Sequence, residues 1–305
     1  MSTSAQPSLV NASPRPLGSL GTVGALAYGQ WRYTTDDLGR ARSLIETALD
    51  AGMNLIDTAD VYGLDWGGSG FGDVEALLGR VLADTPALRD RMVLATKGGI
   101  VPPVPYDSSP RRLVEACDDS LRRLGVDTID LYQIHRPDMY THPADVAATL
   151  DGLRTAGKIR EVGVSNHTTA QVAALQAHLP FAIVSTQPEY SVACLAPMRD
   201  GTFDQSMERG IVPLAWSPLA GGRVVTGDGM PPELLDLLDR IAERESTDRA
   251  TIALAFVLAH PAAPVAIIGT QQPDRIRASL RAFDVHLDRA DVYAIVQASE
   301  GVPLP

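Results

Sequence analysis

The 305-residue chain sets 26 Lys and Arg against 37 Asp and Glu, a formal net charge of −11, so nucleic acid and anionic membrane surfaces are poor partners and any anionic ligand needs a local basic cluster. Hydrophobic residues at 45% and charged residues at 21% are ordinary globular composition, with ample material for a core. Cys117 and Cys194 are too few and too unpatterned for a disulfide framework or a metal site. With no apolar run near the ~18 residues that span a bilayer, the expected compartment is the cytoplasm.

Residues 1–16, rich in Ser, Pro and Ala, read as a loose tail. A Gly-rich apolar segment, 20–28, follows as a first strand. The stretch 35–51 then has helical spacing through Leu38, Ala41, Leu44, Ile45, Ala48 and Leu49, with Gly52 as its stop. Strand two opens as Leu55-Ile56 and breaks at Asp57. Beyond it lie a Gly-rich rim loop, 64–72, and a helix, 73–83. Strand three, 92–96, precedes a helix over 109–124, and strand four, 129–134, one over 143–156. Strand five, 161–164, and strand six, 183–186, lead into helices 168–178 and 202–210. Strand seven, 211–215, is followed by two helical segments, 232–245 and 248–259. Strand eight, 265–268, has its companion at 273–282, and an extra helix spans 288–298. Eight short aliphatic strands, each followed by a helix, favour an α/β fold: one (β/α)8 TIM barrel over 17–305 with an extra C-terminal helix. An open doubly wound sheet is the alternative that periodicity leaves standing.

In a closed parallel barrel the chemistry gathers at the carboxyl ends of the strands. The polar or aromatic residues there are Asp57, Lys97, His135, Asn166, Gln187 and Trp216, one from each of strands two to seven. A carboxylate at the end of a buried strand needs a partner, and Lys97 at the end of the next strand can be it. The run 67–72 lacks Rossmann glycine spacing, and no Gly-Lys-Ser/Thr phosphate loop occurs.

The motifs Asp-Thr-Ala-Asp-Val-Tyr-Gly (57–63), Ala-Thr-Lys (95–97), Ile-His-Arg-Pro-Asp (134–138), Gly-Val-Ser-Asn (163–166), Thr-Gln-Pro-Glu-Tyr (186–190), Ala-Trp-Ser-Pro-Leu-Ala-Gly-Gly (215–222) and Arg-Ile-Arg (275–277) fall in order at strand ends. In this order the chain resembles the aldo-keto reductases over nearly its whole length after the tail. The resemblance implies a catalytic tetrad of Asp57, Tyr62, Lys97 and His135. Reducing a carbonyl needs a hydride at carbon and a proton at oxygen. Tyr62 would give the proton. An ammonium about 4 Å away interacts with it by roughly 4 kcal/mol at an effective dielectric near 20, enough to lower a phenol pKa of about 10 by up to about 3 units. Asp57 would keep Lys97 charged, and His135 would hydrogen-bond the substrate carbonyl.

The same resemblance puts Ser165, Asn166 and Gln187 on a nicotinamide carboxamide and Trp216 under the ring. Ser217, Leu219, Gly221 and Gly222 would lie against the pyrophosphate. The segment after strand eight, with Gly269, Thr270, Gln272, Arg275 and Ser279, would hold the adenosine end. Many members carry lysine where this chain has Gly269, so Arg275 is left to favour NADPH, with NADH as the alternative. Tyr28, Trp31 and Trp66 are candidates for the wall of the substrate pocket. The expected function is NADPH-dependent reduction of an aldehyde or ketone, a small-molecule carbonyl. Its rivals are a cofactor-binding redox sensor with little turnover and a barrel lyase forming a Schiff base on Lys97, which the neighbouring Asp57 disfavours. Oligomeric state is left open.

Overall fold

The computed structural model describes residues 7–65 and 67–304. Eight parallel strands close into a barrel: β1 (Leu26–Gly29), β2 (Leu55–Asp57), β3 (Val93–Gly98), β4 (Ile129–Ile134), β5 (Ile159–Ser165), β6 (Ser185–Gln187), β7 (Val212–Ala215) and β8 (Val265–Ile268). Each pairs with its neighbour in sequence, and β8 returns to β1. Outside run α1 (Leu38–Asp50), α2 (Asp73–Asp84), α3 (Pro110–Leu124), α4 (Pro143–Thr155), α5 (Thr169–Gln176), α6 (Thr202–Arg209), the single turn α7 (Arg223–Thr226), α8 (Pro232–Arg244), α9 (Arg249–Leu258), α10 (Pro273–Ala278) and α11 (Arg289–Glu300). Their ends follow local chemistry. Asp37 caps α1 by accepting from Arg40 N at 3.0 Å, Thr168 and Gln171 form a reciprocal capping box on α5, and Gly125 ends α3 in the left-handed region.

The two-residue period of a strand sorts side chains between the barrel lumen and the helix layer. Ala27, Leu55, Val93, Ala95, Leu131, Val184, Val212, Leu214, Val265 and Ile267 pack together in the lumen with Leu17 and Val23. Leu26, Ile56, Leu94 and Tyr132 belong to the larger cluster shared with the helices. Stepping up from the apolar lumen layer, Leu55 leads to Asp57, Ala95 to Lys97, and Leu131 to Gln133 and His135. One period thus builds a greasy floor and a polar upper layer. Gly163 in β5 is needed where strands crowd, because a Cβ there would lie 2.1 Å from Ser185 Oγ.

Three sequence expectations are corrected. The first strand is not continuous: Thr22–Val23 pairs antiparallel with Arg15–Pro16 as a hairpin, and the barrel strand begins only at Leu26. The break comes at Gly24, where a Cβ would sit 2.4 Å from the Gly52 carbonyl. Over its described part, the tail is tied down rather than loose. Leu9 N donates to Leu287 O at 2.8 Å, Asn11 N to Leu258 O at 3.1 Å, and Arg15 and Leu17 are buried. The helix after β8 is shorter than its periodicity predicts, since α10 tightens into 3-10 geometry over Ser279–Asp284. A second hairpin, Ile100–Val101 with Val104–Tyr106, extends the loop after β3 and had no clear sequence signal. No described helix is long and apolar enough to cross a membrane.

Candidate active site

Short turns after β2 bring Tyr62 back over the strand ends. Thr58 N donates to Ala95 O at 2.9 Å, Asp60 N to Lys97 O at 3.1 Å and Tyr62 N to Ala59 O at 3.2 Å. Gly63 follows at φ 105, packed so closely that a Cβ would lie 2.6 Å from both Asp73 Cβ and the Gly70 carbonyl. Beneath the tyrosine, Lys97 is wholly buried. Its Nζ donates to Asp57 Oδ2 at 2.7 Å, to the Thr58 carbonyl at 2.8 Å and to Tyr62 Oη at 3.2 Å. The other Asp57 oxygen accepts from Gln187 Nε2 at 3.0 Å and from Gln133 Nε2 at 3.2 Å. Both ions are therefore satisfied on every side, the condition under which a buried pair is tolerated.

Burial is the largest single influence on Lys97 and would drive it towards neutrality, but the Asp57 carboxylate and the Tyr62 hydroxyl together outweigh it and the ammonium is held above its ordinary value. For Tyr62, burial is the largest influence and raises the phenol, while the Lys97 charge pulls it back only in part. The expectation that Lys97 would leave Tyr62 below its usual value is thus corrected: desolvation wins, and the hydroxyl keeps its proton. Burial and the nearby Lys97 and Arg136 cations push His135 well down, so its imidazole is neutral at pH 7. The Tyr62 and His135 rings meet edge to face with centroids 5.8 Å apart. His135 Nδ1 has no partner among the described residues.

A second network adjoins the first. Trp216 Nε1 donates to Asn166 Oδ1 at 3.0 Å, Asn166 Nδ2 to Ser165 Oγ at 2.8 Å, and Ser165 Oγ to the Gln187 carbonyl at 3.0 Å. Asn166, Ser217 and Ala220 hold left-handed φ of 57°, 50° and 51° although none is glycine, a strain that persists only where the surroundings impose it. With Gly221 and Gly222, also left-handed and with nothing within 4 Å of an added Cβ, the loop after β7 offers open backbone to a ligand. Arg32 from the β1 loop spans to the Gly221 carbonyl at 3.2 Å.

A cavity of about 1220 Å³ joins these parts. It is lined by Asp57, Tyr62 and His135, by Ser165, Asn166, Gln187 and Trp216, by Ser217, Leu219, Gly221 and Gly222, and by Gly269, Thr270, Gln272, Arg275 and Ser279. At its far end Arg275 makes no hydrogen bond or ion pair among the described residues, whereas Ser279 Oγ is spent on the Ile276 carbonyl at 2.6 Å.

A family model described as the aldo/keto reductase family matches residues 22–300. The chain belongs to the aldo-keto reductase family. It is 48% identical over 297 residues to a 6-dehydroglucose reductase of Novosphingobium aromaticivorans, covering 95% of this chain and 97% of that one. A glycerol dehydrogenase of Gluconobacter oxydans superposes with a TM-score of 0.82 at 27% identity, covering 96% of this chain and 97% of that chain. An aldo/keto reductase from Klebsiella pneumoniae, crystallised with NADP and acetate, shares the fold with a TM-score of 0.76 at 24% identity over 97% of each chain.

In this aldo-keto reductase one substrate-wall expectation fails. Tyr28 is fully buried and faces the helix layer, edge to face with Tyr33, because the inward position of β1 is taken by Ala27. Its hydroxyl only accepts from Gln271 at 3.2 Å. Trp31 does line the cavity and is 40% exposed. Trp66 lies outside the described residues. Three further residues join the candidates, none of them given a role by the sequence motifs, although Arg136 lies within one. Gln133 was findable, since it stands two residues before His135 on an alternating strand and so had to point inward. Gln30 is wholly buried and leaves both side-chain amide atoms without a partner among the described residues. Arg136 lines the cavity beside His135.

Proposed function

We propose that the reductase uses NADPH to convert a hydroxylated, sugar-derived aldehyde to its alcohol, with Tyr62 as the proton donor. The observation that carries the assignment is the Tyr62 hydroxyl held 3.2 Å from an ammonium that Asp57 keeps charged, at the floor of the cavity and beside a neutral imidazole. A reduced nicotinamide, when bound, supplies the hydride to the carbonyl carbon. Tyr62 passes its proton to the oxygen as negative charge builds there, and solvent restores it. A phenol raised by burial suits this step, because it stays protonated yet is far more acidic than the alcohol formed. His135 donates a hydrogen bond that fixes the carbonyl.

The cradle fits such a cofactor. Ser165, Asn166 and Gln187 offer hydroxyl and amide groups at one point, and the Trp216 indole is locked beside them. The left-handed loop 217–222 presents open backbone for a pyrophosphate, and Arg275 is an unspent guanidinium where a 2′-phosphate would lie. The sugar-aldehyde class is supported by the relative named for 6-dehydroglucose, whose similarity runs the length of both chains. The Schiff-base alternative needs a neutral lysine, and Lys97 is held as the cation.

NADPH and NADH oxidation followed side by side against aliphatic, aromatic and sugar-derived aldehydes tests the assignment. Turnover is expected with NADPH on the sugar-derived compounds and is lost in Y62F while NADPH still quenches tryptophan fluorescence. Tight NADPH binding with no oxidation across the panel would point instead to a sensor.

A further inference from the structure

We infer that Arg136 is the residue that selects the substrate, its guanidinium gripping an oxygen carried on the carbon chain next to the reacting carbonyl. This rests on the reductase reading and deepens it. Arg136 follows His135 directly, is half-buried and lines the cavity at its catalytic end. Its charge is felt by both Tyr62 and His135. Yet among the described residues its side chain makes no hydrogen bond and no ion pair. The nearest carboxylate in sequence, Asp138, is spent on Ser108 N at 2.9 Å, Tyr140 N at 2.9 Å and Thr141 Oγ1 at 2.7 Å.

The other carboxylates of the cavity are accounted for. Asp57 is saturated by Lys97 and two amides, and Asp239 and Asp248 are engaged by Arg249 and by Thr251. Only Asp65, exposed at the rim, stands without a described partner. Outside the cavity lining, Glu189 lies near enough to feel the Arg136 charge but makes no hydrogen bond or ion pair with it. A guanidinium held in a partly dry cavity with no hydrogen-bonded anion is costly unless a ligand completes it. The cavity thus has two unspent guanidinium groups, Arg275 at one end and Arg136 at the other. Arg275 has the cofactor to meet. Arg136 stands beside the acid and the imidazole, where only the substrate reaches it. A planar donor fork suits vicinal hydroxyls or a carboxylate and has nothing to offer a bare alkyl chain.

The test compares kcat/KM on aldehydes of matched size: D-glyceraldehyde against pentanal for the hydroxyl arm, and succinic semialdehyde against hexanal for the carboxylate arm. The wild type is expected to favour the oxygenated partner, with the larger preference in the hydroxyl arm. In R136M that preference should fall by roughly tenfold to hundredfold, the scale of a charge-assisted hydrogen bond, mostly through KM. R136K should keep part of it. An equal loss on both members of each pair in R136M would overturn the assignment, as would a D65N or E189Q variant that reproduces the R136M pattern, since Arg136 would then serve a carboxylate of its own chain. A larger preference in the carboxylate arm would replace hydroxyls by an acid as the group read. No turnover of any aldehyde by the wild type would sink the reductase reading itself and is distinct from all of these.

Discussion

Both mouths of the barrel bury polar groups, and they use them in opposite ways. At the amino-terminal mouth Arg15 donates to the carbonyls of Ala263 at 2.8 Å and Asn11 at 2.7 Å and to that of Ser13. Glu161 accepts from Ser19 N at 2.7 Å, and Asp130 accepts from Leu94 N at 2.8 Å while pairing with Arg89 at 2.8 Å. These groups are closed on backbone or on arginines, the second Asp130 oxygen by Arg160 at 3.2 Å, beneath a hairpin that plugs the lumen with Leu17 and Val23. At the carboxyl-terminal mouth Asp57 and Lys97 are just as fully satisfied, but groups around them keep open valences among the described residues: His135 Nδ1 and the Arg136 and Arg275 side chains. A buried charge is therefore no sign of chemistry by itself. The sign is a satisfied core surrounded by groups left unspent.

The largest test of this contrast is Tyr62→Phe. Stopped-flow oxidation of NADPH should slow by ~10²–10⁴-fold, the usual worth of a positioned general acid, while the melting temperature stays put. An unfolding midpoint that drops with activity would mean that the upper mouth is structural like the lower one. Next comes Arg275→Met, for which KM for NADPH should rise roughly tenfold to hundredfold with little change for NADH, as expected when a charged hydrogen bond to one phosphate is lost. Equal effects on the two cofactors would assign Arg275 no role in telling them apart.

At the lower mouth Arg15→Met should do the reverse, leaving kcat/KM unchanged and costing about 1–3 kcal/mol in urea unfolding, because buried carbonyls lose their donor. The smallest effect is at His260, in the loop before β8, whose ring lies 4.3 Å from Phe203 and whose Nδ1 accepts from Ala262 N at 3.1 Å. Burial lowers it to about 4, against about 6.5 in the unfolded chain. The unfolded state thus takes up a proton first as pH falls. The stability tied to this group is full above about pH 6.5 and is lost progressively towards pH 4. Melting curves from pH 7 to 4 should decline less steeply in H260F; an unaltered slope would leave the decline to His135 and His167, which are lowered in the same direction.

The alternation of short aliphatic strands with amphipathic helices made the barrel legible, since each element declares its own period. The place of Asp57, Lys97 and His135 at strand ends was legible for the same reason, since an inward run of apolar residues ends at each, whereas grouping them with Tyr62 rested on the motifs shared with the aldo-keto reductases. What escaped depends on approaches between distant segments. Nothing near Gly24 announces that the Gly52 carbonyl will press on it and split the first strand. Tyr28 misled because its position at a strand exit was weighed and its parity on the strand was not. The sign of the Tyr62 shift also needed three dimensions, for a charge at a known distance can be estimated from type alone, but the depth of burial that outweighs it cannot.

Ring closure itself has a kinetic consequence. The seam joins β8 to β1 through Ala266 with Leu26 and Ile268 with Tyr28, strands from opposite ends of the polypeptide. Entropy grows only logarithmically with the length of the connecting loop, so distance along the chain is a modest obstacle to the final pairing. Time is the greater one. Until the last strand is made, a nascent or refolding chain carries two unpaired sheet edges, and its vulnerability to aggregation ends when the seam is sealed.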